Sequence, residues 1–179
     1  MILDPTTELG IRVAAGLFFL WAGVAKLRNR TRFRAALADY RLLPRFAVAP
    51  AALAVPVAEL GVAVTLPFAA LGPWPAITGA GLLLLFAVAM AINLLRDHSD
   101  IACGCSFGAK DGGLHWSYVA RNVVVASVLT LSGIEAAPAS LAEIATGVIA
   151  GAALFALLMA ADAVWALFAR HPLAFGKAS

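Results

Sequence analysis

The sequence predicts an all-α, polytopic transmembrane helical bundle of about five spans, with a four-helix core and an added interfacial amphipathic helix. Three observations carry this. Of 179 residues, 63% are hydrophobic and 13% charged, against roughly 45–50% and about 25% in a soluble domain. The mean hydropathy of +0.92 comes from Ala, Leu and Val spread along nearly the whole chain, which excludes a disordered chain and a soluble enzyme core. Apolar stretches recur at the length of about 20 residues that crosses a bilayer as a helix, without the period-two alternation of a membrane β-barrel.

The elements follow in order, all in one domain over residues 1–179. Residues 1–10 carry Asp4 and Glu8 but no Lys or Arg, unlike the basic start of a secretory signal, so the first apolar segment is expected to stay as a span over about residues 9–27. Arg12 and Lys26 lie near its ends, where long side chains can reach the headgroups. A helix at about 30–43 places Phe33, Leu37 and Tyr40 near helical spacing among arginines, the pattern of an amphipathic helix in the interface. The second span covers about 47–71 and contains Glu59. From there to Arg96 no Asp, Glu, Lys or Arg occurs, and Gly72-Pro73-Trp74-Pro75 breaks the stretch with turn residues and an interfacial aromatic. The third span then covers about 76–95. A polar loop over 96–115 leads to a fourth span at about 116–133 with Arg121. A fifth follows at about 141–168, with Asp162 inside it and Ser140 as its N-cap. Gly147 and Gly151 have the small-xxx-small spacing of close helix contacts, a match that the Gly- and Ala-rich composition also produces by itself.

Charge gives the expected orientation. Lys26, Arg28, Arg30, Arg32, Arg34, Arg41 and Arg45 supply seven of the thirteen basic residues; with Arg96, Lys110, Arg170 and Lys177, eleven fall on one side of a five-span chain. The positive-inside rule makes that side cytoplasmic, in an inner or plasma membrane, with the N-terminus outside and the C-terminus inside. The arginines of the interfacial helix are suited to anionic lipid. No base-stacking platform or nucleic-acid reader motif accompanies them, so nucleic acid is not an expected partner.

Reactive groups converge on the 96–115 loop, where Cys103-Gly104-Cys105 stands. A C-x-C disulfide closes a tight ring, and Gly104 eases the bend. Strained, accessible disulfides are the oxidising, readily exchanged ones, so Cys103 and Cys105 are the candidate catalytic pair. Two other readings stand beside it. The cysteines can be inert, or with His98 and His115 they can supply two sulfurs and two nitrogens to a soft metal such as copper(I), although the spacing fits no standard zinc pattern.

Polar groups within the spans add a second argument. Lys26, Asn93, Arg121, Asn122 and Asp162 all fall toward the loop's end of their helices, and Glu59 lies deeper. Charges inside a bilayer seek partners in the bundle interior, so Glu59 and Asp162 are expected to meet Lys26 or Arg121. A cation near a thiol lowers its pKa. A cavity with Arg, Asn and carboxylate can also hydrogen-bond the carbonyls of a membrane quinone and handle its protons; beyond that quinone the residues call for no cofactor.

At these residues the chain resembles the MauE branch of the MauE/DoxX redox-associated membrane proteins. The resemblance rests on Trp21-Ala-Gly-Val-Ala-Lys26-Leu, Tyr40-Arg-Leu-Leu-Pro44, Pro56-Val-Ala-Glu59, Asn93-Leu-Leu-Arg96, Cys103-Gly-Cys105 with Phe107-Gly108, and Trp116 followed by Arg121-Asn122. Ser106 departs from the family's C-x-C-F-G order. The resemblance implies a protein of methylamine utilisation that works with a thioredoxin-like partner in maturing the disulfide-rich β-subunit of methylamine dehydrogenase. It thus implies a thiol–disulfide oxidoreductase, with a soft-metal carrier and a non-catalytic assembly subunit as the other classes. Charge counting puts the cysteine loop inside, whereas a partner serving exported proteins lies outside; the two agree only with a pair exposed alternately to both sides or with a chain that breaks the charge rule.

Overall fold

The structure, a computed structural model, describes residues 4–68, 71–97, 113–132 and 140–170, with the side chains of the last helix described through Val164. Six helices and no strand occur among the described residues: α1 Pro5–Arg28, α2 Arg30–Asp39, α3 Arg45–Thr65, α4 Trp74–Leu95, α5 Trp116–Ser132 and α6 Leu141–Arg170. Four of them, α1, α3, α4 and α6, are long and apolar enough to cross a membrane. The chain is a multi-pass helical membrane protein.

Local chemistry sets the helix ends. α1 starts at Pro5, earlier than its apolar pattern suggests, because Asp4 caps it and Pro fits the first helical position. The Thr7 hydroxyl and then its backbone N–H donate to the Asp4 carboxylate and hold its pKa below the usual carboxylate value. α2 stops at Asp39, short of residue 43: Arg41 takes a left-handed φ of 51°, and Pro44 then begins the next helix as its N-cap. α3 ends at Thr65 rather than near 71, ahead of Pro67 and of the turn at Gly72, whose φ of +63° suits a residue without Cβ. Ser140 and Glu143 form a reciprocal capping box on α6: the Ser140 N–H donates to Glu143 Oε2 at 2.7 Å and the Glu143 N–H to Ser140 Oγ at 3.3 Å.

Contacts fix the helix directions. Gly16 faces Ala63 and Leu66 while Gly23 faces Pro56 and Leu60, so α1 and α3 are antiparallel. Leu129 lies against Gly79 at one end of the α4–α5 pair, and Tyr118 packs with Met90 at the other, so these two are antiparallel as well. Leu9 meets Gly147 and Val13 meets Gly151, so α1 and α6 run the same way. α5 has 17 residues, about 25 Å of helix at 1.5 Å per residue, and it travels the bundle beside α4. That passage brings α6 back parallel to α1, as an odd number of crossings requires. Trp74 and Trp116 open α4 and α5 at opposite ends, 71% and 55% exposed, where interfacial aromatics sit.

The core is built by four of these helices. Ala15, Phe18 and Phe19 of α1, Val62 and Ala63 of α3, Ala76, Ala80 and Leu83 of α4, and Ala126 and Leu129 of α5 form one buried cluster, and Phe155 and Met159 of α6 lie against it. α6 reaches α1 through glycines, and here the Gly147-xxx-Gly151 spacing is a real contact rather than a product of composition. A Cβ on Gly151 would lie 2.6 Å from the Gly10 carbonyl oxygen and 2.7 Å from Val13 Cβ. Overpacking of this kind costs about 1–3 kcal/mol. Gly151→Ala should therefore lower the melting temperature of the detergent-solubilised protein measurably. Gly61→Ala, at a position with nothing within 4 Å, should leave it unchanged or raise it. Equal melting of both variants would count against the α1–α6 seam.

Candidate functional site

Parity of crossings brings the C-terminal ends of α1 and α4, the N-terminal ends of α3 and α5, and all of α2 to one end of the bundle. Cys103 and Cys105 belong to the segment that joins α4 to α5, and with His98 and Ser106 they lie outside the described residues. The described chain stops before that segment at Asp97, a non-glycine residue with φ of 59°, and resumes at Gly113 and the buried Leu114. Leu114 packs with Met90 and Tyr118, and Tyr40 from the end of α2 joins them.

Beneath that end lie two ion pairs, the first of them fully buried. Lys26 Nζ of α1 is 2.5 Å from Glu59 Oε1 of α3, with side chains 0% and 2% exposed. The ammonium also lies 5.6 Å from the ring centroid of Phe33 on α2 and 5.1 Å from that of Phe86 on α4, within cation–π range. One cation of α1 thus meets side chains of three other helices. It does not reach for the headgroups, as its place near the end of the span suggests, because a carboxylate and two rings receive it inside.

The second pair joins α5 to α6. Arg121 Nη1 donates to Asp162 Oδ2, and Nη2 reaches Asn122 Oδ1 at 3.4 Å. The guanidinium lies 5.3 Å from the Phe18 ring centroid and 5.4 Å from that of Tyr118. Two buried donors in this region have no partner among the described residues: Arg121 Nε, and Ser117 Oγ one helical turn earlier. They can serve an acceptor such as a carbonyl oxygen. Asn122 is buried beside them, whereas buried Asn93 gives its amide to the Ala89 carbonyl of its own helix at 3.0 Å. The six polar residues singled out in the spans therefore make two ion-pair clusters plus one self-satisfied amide, not a single pool of charge.

His115 stands exposed before α5, with its ring 6.3 Å from that of Tyr118. No group of three His, Cys, Asp or Glu side chains gathers as a metal site among the described residues.

The opposite end holds a network that the pattern of apolar spans hides. Arg12 is 1% exposed and so does not extend to the headgroups. Its Nη2 pairs with Glu8 Oε1 at 2.8 Å and donates to the Ser132 carbonyl at 3.3 Å. The Glu8-to-Arg12 spacing of four residues is the signal that identifies such a pair.

Breaking a buried ion pair by removing one partner costs about 3–5 kcal/mol, while replacing both by apolar groups is often neutral. Lys26→Met and Glu59→Leu alone should each destabilise the solubilised protein by roughly that amount. The double variant should recover most of the loss in the same denaturation assay. Additive losses would deny the pair its coupling.

Comparison with known proteins gives consistent results. The model of the methylamine utilisation protein MauE family matches residues 5–135, from the start of α1 to just past α5. Methylamine utilization protein MauE of Paracoccus denitrificans is 36% identical over 171 residues, covering 94% of this chain and 92% of that protein. Its counterpart from Paracoccus versutus is 35% identical over 175 residues, 96% of this chain and 94% of that protein. The protein of the same name from Methylophilus methylotrophus is 38% identical over 105 residues, 59% of this chain and 55% of that protein. No solved structure matches the chain.

Proposed function

The chain belongs to the methylamine utilisation protein MauE family, and from that premise we propose that it exchanges thiols and disulfides through Cys103 and Cys105 with a thioredoxin-like partner. Proteins of this family serve methylamine utilisation. In this reading the exchange supports disulfide formation in an exported protein, of the kind the methylamine dehydrogenase β-subunit needs.

One observation carries the reading. The only two cysteines of the chain form a C-x-C pair, and both described edges of their segment, Asp97 and Gly113, belong to the bundle end that encloses the Lys26–Glu59 pair. In the direction that oxidises the partner, a partner thiolate attacks the Cys103–Cys105 disulfide. One cysteine forms the mixed disulfide while the other leaves as a thiolate, and the partner's second thiol completes the exchange. In the reverse direction the second cysteine of the pair resolves the mixed disulfide. When the partner is oxidised, its dithiol loses two electrons and two protons and the Cys103–Cys105 disulfide gains them. A membrane quinone that accepts two electrons and two protons as it becomes a quinol would regenerate the disulfide. Arg121 Nε and Ser117 Oγ, buried donors without partners among the described residues, suit a quinone carbonyl, and Asn122 and Asp162 flank them.

The ion pairs define what the remaining groups contribute. The field that Lys26 offers a thiolate is offset by Glu59, and that of Arg121 by Asp162. Their first task in this mechanism is to hold the ends of the helices that carry the cysteine segment. Arg121 keeps a donor to offer beyond its pair. The charge rule puts this end in the cytoplasm of the cell membrane with the N-terminus outside, so service to an outside partner requires the pair to face both sides in turn.

The test combines labelling with substitution. In sealed vesicles, a membrane-impermeant maleimide should label Cys103 and Cys105 only after reduction. Cys103→Ser and Cys105→Ser should each abolish maturation of the disulfide-rich substrate protein, and the variant lacking the resolving cysteine should accumulate a covalent adduct with its partner. Full maturation with both variants would overturn the redox reading and leave an assembly role.

A further inference from the structure

The arginine-bearing face of α2 has no part in the exchange chemistry. Residues 28–46 hold six arginines, one aspartate and no lysine, a net charge of +5. α2 is 10 residues long, far below the length of a span, and is tied to the bundle by one side only. Phe33 and Ala36 are its buried residues, Phe33 covering the Lys26 ammonium at 5.6 Å, while Tyr40 packs beside Met90, Leu114 and Tyr118. The other side faces outward: Arg30 and Arg34, one turn apart, are exposed, as are Arg28 before the helix and Arg41 and Arg45 after it. Arg32 and Asp39 on the helix and, from the end of α4, Arg96 and Asp97 are the other exposed charges at this end among the described residues.

Apolar side chains stand among these charges. Leu42 and Leu43 are 36% and 40% exposed and Phe46 is 83% exposed. All three lie between Arg41 and the first turn of α3, at the level where the spanning helices end and the headgroups begin. An acidic protein surface would meet the arginines but leave these three side chains in water. A bilayer meets both: phosphates pair with guanidinium groups in bidentate fashion, and the three apolar side chains enter the acyl boundary.

We propose that α2 and the turn after it, residues 28–46, form a docking surface for the phosphate headgroups of anionic phospholipid, with Leu42, Leu43 and Phe46 as its insertion edge. The surface is independent of the thiol chemistry. It has a structural consequence, because the helix that the lipid holds against the membrane is the one whose Phe33 covers the buried Lys26–Glu59 pair.

Native mass spectrometry of the full chain in detergent tests this directly, with phosphatidylglycerol and phosphatidylcholine of identical acyl chains as probes. Each basic residue at a membrane surface strengthens attachment to anionic lipid several-fold. The wild-type protein should retain phosphatidylglycerol over phosphatidylcholine by on the order of tenfold or more, and the triple variant Arg30→Gln, Arg34→Gln, Arg41→Gln should lose that preference while eluting as a folded species. The matching triple Arg→Lys variant should keep most of it. Arg170→Gln with Lys177→Gln, which removes charge from the C-terminal tail, should leave it intact. A preference that survives the triple Gln variant, or falls equally with the tail variant, overturns the proposal. Inorganic phosphate that displaces the lipid at comparable concentration would also overturn it, by showing a bare phosphate site.

Discussion

A charge placed in hydrocarbon has to find its partner inside the protein, and for Lys26 that partner is Glu59, thirty-three residues away on another helix. The ammonium sits where α1 and α3 meet, with Phe33 of α2 and Phe86 of α4 beside it. No two of these helices can separate without exposing a charge or a ring contact to lipid. Hydrophobic burial cannot enforce this, since lipid tails are as apolar as Leu or Ala and reward helix contact little. The exposed faces of α3, α4 and α6, rich in Leu, Val and Ile, show how much apolar surface the fold leaves to the bilayer.

What draws the helices together instead is close approach and polar pairing. Gly16 and Gly23 let α1 settle on α3, Gly79 lets α4 settle on α1 and α5, and Gly10, Gly147 and Gly151 bring α1 and α6 nearly to backbone contact. The α1–α3 seam carries a polar bridge of its own, Lys26–Glu59, and two further bridges tie α5 to its neighbours: Arg12 of α1 to the Ser132 carbonyl, and Arg121 to Asp162 of α6. The glycines set the distance and the bridges set the register. α1 takes part in most of these contacts, which explains why a helix of 24 residues carries so many buried positions.

Much of this is legible in the sequence because bilayer thickness is a hard ruler. Five apolar segments follow from span length, the break before α4 and the Ser140 cap from turn and capping residues, and the need of Glu59 and Asp162 for Lys26 or Arg121 from the cost of unpaired charge, though not which carboxylate takes which cation. Helix ends were less legible, since Asp4 and Arg41 act through local backbone geometry that hydropathy does not register. Arg12 shows a deeper reason. Near the end of a span an arginine can extend outward or fold inward, and only the i,i+4 position of Glu8 together with the carbonyl of Ser132 decides for the interior. Likewise, six polar residues at similar depths suggest one shared cavity, yet depth carries no angular information. The faces on which Asn93, Lys26 and Arg121 stand separate them into different contacts.

The two buried cations of α1 also differ in how they are satisfied, and that difference bears on where the molecule can change. Arg12 finds its carboxylate one turn earlier on the same helix, so this pair needs only α1 to be helical. Lys26 finds its carboxylate only when α3 is packed in register, and its aromatic cover only when α2 and α4 are also in place. A displacement at the Arg12 end therefore leaves the charge paired, whereas one at the Lys26 end uncovers it. The electrostatic satisfaction of the bundle is thus most sensitive to tertiary arrangement at the end from which the cysteine segment departs and returns. A partner or lipid that engages α2 acts on that arrangement through Phe33, without having to touch the ion pair itself.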